Sequence, residues 1–230
     1  QQCLSEYCDV TSCKTQRDAI EATSHNWDAI VLSGSSLNMS ESLSASAISK
    51  DLMVLLRFPD VACLGVCFGM QLIATAYGGE VVRRESPRHG IHHVMNTDNP
   101  LLTGREVDAF FSHQDVVTRC PPNFVADSYS DGIISGIHSK ELKRYGVQFH
   151  PECSCASVQK IIPNFLQIAG STRVIVDTIR ISSDNWCKIA ILIGKGNARN
   201  LSKLYNIDVS CIYQIWTDFC KKFRIKGILY

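Results

Sequence analysis

The chain has 230 residues, 45% of them hydrophobic and 20% charged, with a formal net charge of +1. That balance is ordinary for a globular protein and excludes a low-complexity, collagen-like or intrinsically disordered chain. No run of about 18 apolar residues is present, so no membrane span is expected, and no basic stretch followed by an apolar core marks a secretory leader.

In chain order, Gln1 to Lys14 reads as the end of a helix, around Leu4 to Tyr7, followed by a short strand. Asp28 to Leu32 is apolar and β-prone, and runs into a Ser33-Gly34-Ser35-Ser36 loop. Such a loop lies at the carboxyl edge of a parallel strand, where open α/β sheets build their sites. Ser44 to Phe58 has helical spacing, with Ile48, Leu52, Leu55 and Leu56 on one face, until Pro59-Asp60 stops it. Val61 to Leu64 predicts a buried strand, and an apolar-periodic helix runs from the following turn to Gly78-Gly79. Five β-prone runs follow: Glu80 to Arg83, Val107 to Ser112, Phe124 to Ser128, Ile133 to His138 and Tyr145 to Phe149. Cys155 to Ala169 predicts one helix, with Val158, Ile161, Ile162, Phe165, Leu166 and Ala169 on its apolar stripe. The expected fold is α/β, an open, mostly parallel sheet flanked by helices, ending near Gly170.

The turn between the buried strand and its helix carries the chemistry. In Gly65-Val66-Cys67-Phe68-Gly69 a cysteine stands between two glycines, the arrangement of a nucleophile elbow with sulfur in place of oxygen. The glycines let strand and helix pass closely while the central side chain is held strained and exposed. A position just before a helix N-terminus favours thiolate over thiol. A thiol nucleophile needs a base, and that base needs a carboxylate to orient it. Tyr145-Gly146-Val147-Gln148-Phe149-His150-Pro151-Glu152 supplies both at a strand end. Eleven cysteines, an odd count that includes this one, fit a reducing, cytoplasmic setting better than a disulfide framework.

These motifs resemble the class I, triad-type glutamine amidotransferases over roughly residues 1–170, most closely the glutaminase part of GMP synthase. Arg88-His89-Gly90 is faintly similar to the anthranilate and aminodeoxychorismate synthase branch. The resemblance implies flavodoxin-like layering and hydrolysis of L-glutamine, with no cofactor or metal, to supply ammonia to a synthetase in trans. Cys67 would form the thioester, His150 would shuttle the proton and Glu152 would orient His150. The N–H of Phe68 and one from Gly34-Ser35 would form the oxyanion hole. Gln71 and the backbone of Ser112, His113 and Gln114 would hold the substrate.

The chain also departs from the family pattern. The family opens with a central strand before its first helix, whereas this sequence starts at what resembles that helix. Either the sequence is truncated or another segment fills the slot. Ser35 and Gln114 stand where glycine is usual, and Cys153-Ser154-Cys155 replaces the usual residues after His-Pro-Glu. A Ser35 forced into a glycine-type φ would misplace the oxyanion N–H at a cost of about 1 kcal/mol. Two other functions use the same features: a γ-glutamyl thiol hydrolase, and a non-catalytic binding protein on the amidotransferase scaffold.

Charge divides the chain. Residues 1–170 hold 13 Lys and Arg against 18 Asp and Glu, a net of −5, and residues 171–230 hold 10 against 4, a net of +6. The latter form a basic, mainly helical extension, in which 197–216 has helix-turn-helix spacing. Its apolar positions are Leu201, Leu204, Tyr205, Val209, Ile212, Tyr213 and Trp216, and residues 197–226 could contact nucleic acid.

Overall fold

A computed structural model describes residues 4, 7–13, 16–22, 24–35, 38–39, 48–170 and 173–177. The helix-turn-helix expectation at 197–216 therefore lies outside the described residues. Strand β1 (Asp9–Cys13), helix α1 (Gln16–Ala22), β2 (Ala29–Leu32), α2 (Ile48–Arg57), β3 (Ala62–Val66) and α3 (Phe68–Ala76) alternate along the first part of the chain. A long ribbon follows, β4 (Glu80–Asn96) and β5 (Glu106–Arg119), then β6 (Val125–Ser130), β7 (Ile133–Ser139) and β8 (Arg144–Val147). A short 3-10 turn (Pro151–Cys153), α4 (Ala156–Gln159), α5 (Ile161–Ala169) and β9 (Arg173–Asp177) complete it.

All nine strands form one sheet in the order β1-β9-β2-β3-β8-β7-β6-β4-β5. It is mixed: β1, β9, β2, β3 and β8 are parallel, and β7, β6, β4 and β5 continue it antiparallel. Strands β2 and β3 are buried along their whole length, as parallel strands covered on both faces must be. Alternation divides their side chains between two cores. Ala29, Val31, Leu64 and Val66 pack with Ile161, Phe165 and Leu166 of α5. Ile30, Leu32 and Cys63 pack on the other face with Val54 and Leu55 of α2 and Met70 and Ile73 of α3.

Strand β9 changes the expected domain boundary. The crossover from β1 through α1 to β2 skips one strand position, leaving two edges that face each other across an empty slot. Unpaired N–H and C=O groups inside a covered sheet are costly. Residues 173–177 fill the slot, running parallel to both neighbours, with Asp9 opposite Arg173 and Leu32 opposite Asp177. The sheet thus reaches Asp177 rather than ending near Gly170, with β9 between β1 and β2.

Two further elements differ from expectation. The helix expected over 155–169 breaks at Lys160, because Pro163 in the first turn of α5 has no N–H to donate back into α4. Strands β4 and β5 run well beyond 80–83 and 107–112. The irregular pairing between Arg83 and Arg88, a bulge containing Pro87, hides their continuity from a period-two reading.

Candidate active site

Cys67 sits between β3 and α3 with φ 53° and ψ −104°, a strained conformation for a residue with a Cβ. The two glycines explain how the elbow fits. A Cβ on Gly65 would lie 2.4 Å from the Gly69 carbonyl carbon, and one on Gly69 would lie 2.2 Å from the Leu32 carbonyl oxygen. The Cys67 N–H donates to the Val147 carbonyl at 2.7 Å, tying the elbow to β8. The strain is as expected, but the exposure is not: Cys67 is only 3% exposed. The ribbon covers it, and its sulfur lies 3.8 Å from the Ser112 carbonyl oxygen of β5.

His150 follows β8, and its N–H donates to the Phe110 carbonyl at 2.8 Å. Its Nδ1 lies 2.8 Å from Glu152 Oε1, and Pro151 starts the turn that brings the carboxylate back to the ring. Burial works against the imidazolium, but hydrogen bonds and charge from Cys67 and Glu152 outweigh it and push His150 up to about 10. Burial likewise opposes ionisation of Glu152, and the His150 contact pulls its carboxyl below the usual range. Gly34 touches both partners, since a Cβ there would lie 2.8 Å from His150 Cε1 and 3.6 Å from Cys67 Cβ. The positive-φ residues other than glycine are Cys67, Asn123, Asp131 and Lys143 among those described. Ser35 therefore adopts an ordinary φ, and the strain expected there does not arise.

A cleft of about 400 Å³ opens beside the sulfur, lined by Ser35, Cys67, Phe68, Gln71, Ser112, His113 and Gln114 among others. The volume suits a small amino acid. Phe68, as the first residue of α3, has an N–H with no acceptor within the helix. His113 accompanies the Asp115 carbonyl at 2.9 Å through Nδ1, and its buried Nε2 has no hydrogen-bond partner among the described residues. Burial, more than its neighbouring cations, lowers His113 to about 4, so it stays neutral. Gln114 ties the ribbon together, accepting from Arg83 at 3.0 Å and donating to the Arg84 carbonyl at 2.9 Å. The Gln71 amide nitrogen is already engaged, with the Asp115 carbonyl and the Gln148 side chain.

Two residues were missed from sequence. Gln148, 1% exposed, donates from Nε2 to Cys67 Sγ at 3.6 Å; its place between the end of β8 and His150 was the available signal. Arg88 lines the cleft from the bulge, bound to Asp131 at 2.7 Å and stacked on Phe111. Cys153 and Cys155 are exposed free thiols, and no group of three or more metal-ligating side chains occurs among the described residues.

The two histidines give opposite limbs to the pH dependence of stability. His150 is raised from 6.5 to about 10, so its contribution is full below pH 6.5 and is lost as pH rises through 10. His113 is lowered from 6.5 to about 4, so unfolding gains protons, and stability falls, as pH drops from 6.5 toward 4. Thermal unfolding from pH 4 to 10 is expected to show a maximum between these limbs, with His113→Asn flattening the acid side.

A buried thiol beside an imidazole and carboxylate, at the carboxyl edge of an open α/β sheet, defines the class. The chain belongs to the class-I glutamine amidotransferase family, whose model matches residues 2–168. It is 39% identical over 114 residues to the GMP synthase (glutamine-hydrolyzing) of Thermus thermophilus, covering 48% of this chain and 23% of that protein. It is 38% identical over 112 residues to a GMP synthase (glutamine-hydrolyzing) subunit of Methanocaldococcus jannaschii, covering 46% of this chain and 60% of that one. The fold matches the crystal structure of a proposed GMP synthase subunit from Thermoplasma acidophilum, with TM-score 0.54 and 28% identity over 62% of this chain and 73% of the other. The chain thus matches less than two thirds of the length of these curated relatives. No helix among the described residues is long and apolar enough to cross a membrane.

Proposed function

We propose that this chain is the glutaminase of a GMP-synthase-like system, hydrolysing L-glutamine through a thioester on Cys67 and passing ammonia to a synthetase unit. The observation that carries the reading is the buried Cys67 sulfur, flanked by the paired His150 and Glu152 and opening onto a cleft of about 400 Å³.

The Cys67 thiolate attacks the side-chain amide carbon of glutamine. The oxyanion that develops takes hydrogen bonds from the Phe68 N–H and an N–H of the Gly34-Ser35 loop; such a donor is typically worth about 3 kcal/mol. His150, held as imidazolium by Glu152, gives its proton to the departing nitrogen as the carbon–nitrogen bond breaks, releasing ammonia. Water then attacks the thioester carbonyl while His150 takes one of its protons. Collapse expels the thiolate and leaves glutamate. Neutral His113 presents an acceptor suited to the substrate's α-ammonium. The ammonia acceptor lies on a synthetase unit that the matched part of this chain does not include, and a cytoplasmic setting suits its thiol.

Labelling with a glutamine-directed diazo-ketone tests this. Peptide mass spectrometry is expected to find one adduct, on Cys67, that free glutamine suppresses. Adducts spread over the surface cysteines, with Cys67 unlabelled, would overturn the reading.

A further inference from the structure

We infer that Gln148 is a hydrogen-bond donor to the Cys67 thiolate, and that Gln71 is the positioning residue that fixes its orientation. The inference rests on Cys67 being the nucleophile, but not on glutamine being its substrate.

The argument follows the amide groups. Gln71 Nε2 lies 2.9 Å from the Asp115 carbonyl oxygen and 3.2 Å from Gln148 Oε1, so both of its N–H groups are used. Turning the Gln71 amide over would set its oxygen against two other oxygens. Gln148 is then fixed as well, because its oxygen must face Gln71, and its Nε2 points to Cys67 Sγ at 3.6 Å. A backbone carbonyl on β5 thereby decides, through two side chains, that the sulfur meets an N–H. Gln71 and Gln148 are 2% and 1% exposed, so water does not compete for these groups. The backbone holds the geometry too: the Gln148 N–H donates to Ser135 and the Cys67 N–H to Val147, neighbouring points on one strand end.

The sulfur therefore has a different polar partner for each protonation state. As a thiol it can donate toward the Ser112 carbonyl at 3.8 Å, and as a thiolate it accepts from Gln148. A donor to the ionised form favours that form, and burial strengthens the effect. This adds to the influence of the His150 imidazolium, and both are in place when the adduct formed by water expels the thiolate.

The test is alkylation of Cys67 by iodoacetamide in the full chain between pH 5 and 10, read as the Cys67 peptide by mass spectrometry. Gln148→Met keeps the length and removes the donor. Its alkylation midpoint is expected about one pH unit higher than in the parent. At pH 7 the rate should fall only about threefold, because a more basic thiolate is also more nucleophilic. Gln148→Glu, which still accepts from Gln71 but cannot donate as a carboxylate, should shift the midpoint at least as far; it keeps the test open if Gln148→Met does not fold. Gln71→Met should shift it in the same direction by less, and the double variant should match Gln148→Met alone because the two act in series. A folded Gln148 variant with the parent midpoint, or single shifts that add, would overturn the inference. Glutamine takes no part in this measurement, so a chain that alkylates as expected but never releases ammonia would refute the proposed function and leave this inference standing.

Discussion

Cys67→Ala is expected to abolish ammonia release from glutamine, by ~10⁴-fold or more, because it removes the atom that must bond to the substrate. The flanking donors and His150 remain, but no other described cysteine shares the elbow. The variant should stay folded. Alanine inherits the positive φ of residue 67, so strain is unchanged, and the loss of one buried sulfur costs little more than about 1 kcal/mol. Cys67→Gly separates strain from chemistry: it too should be inactive, yet relief of the left-handed backbone offsets part of the lost packing. Enzyme-coupled detection of ammonia beside thermal unfolding reads both effects. Ammonia release persisting in folded Cys67→Ala would remove the cysteine from the mechanism.

Ile175→Pro should be the most damaging change outside the site. Residue 175 lies in the middle of β9, paired with Thr11 of β1 and Ile30 of β2. Proline in a central strand removes a ladder hydrogen bond and clashes with the neighbouring chain, a cost of about 3 kcal/mol or more. For a domain of this size that corresponds to a fall of roughly 6–12 °C in Tm. The effect should reach the cleft beside Cys67, because Leu32, beside Asp177 in the register, leads into Gly34 and Ser35. Hydrogen exchange should show lost protection at Ala29–Leu32, and glutaminase activity should fall with it. Parent-like Tm and parent-like protection in Ile175→Pro would mean that the sheet does not depend on β9.

The strongest local signals were those in which one residue type answers one steric or chemical demand. Gly65 and Gly69 were readable because an elbow needs close backbone approach at those two points, whereas the demand on Gly34, where a Cβ would meet His150 Cε1 and Cys67 Cβ, shows only in the fold. His150 and Glu152 were readable because a proline between them turns the chain back on itself. The buried strands β2 and β3 showed as unbroken apolar runs. At Ser35 the φ is ordinary, so the conditional strain considered there does not arise. The same local reading took α4 and α5 for one helix, because an apolar stripe continues across the break that Pro163 imposes.

The sequence by itself determined the α/β character, the nucleophile elbow and its His-Glu partner, since each follows from spacing within a few residues. Only the tertiary structure decided that residues 173–177 enter the sheet between β1 and β2, because strand pairing depends on which edges lie open and leaves no trace in local composition. It alone decided that the β4–β5 ribbon buries Cys67 and brings the Asp115 carbonyl to Gln71, and through it Gln148 to the sulfur. Those contacts join residues between 44 and 81 positions apart. No periodicity along a chain can encode them, because they exist only once the sheet has brought its carboxyl edge and the ribbon together.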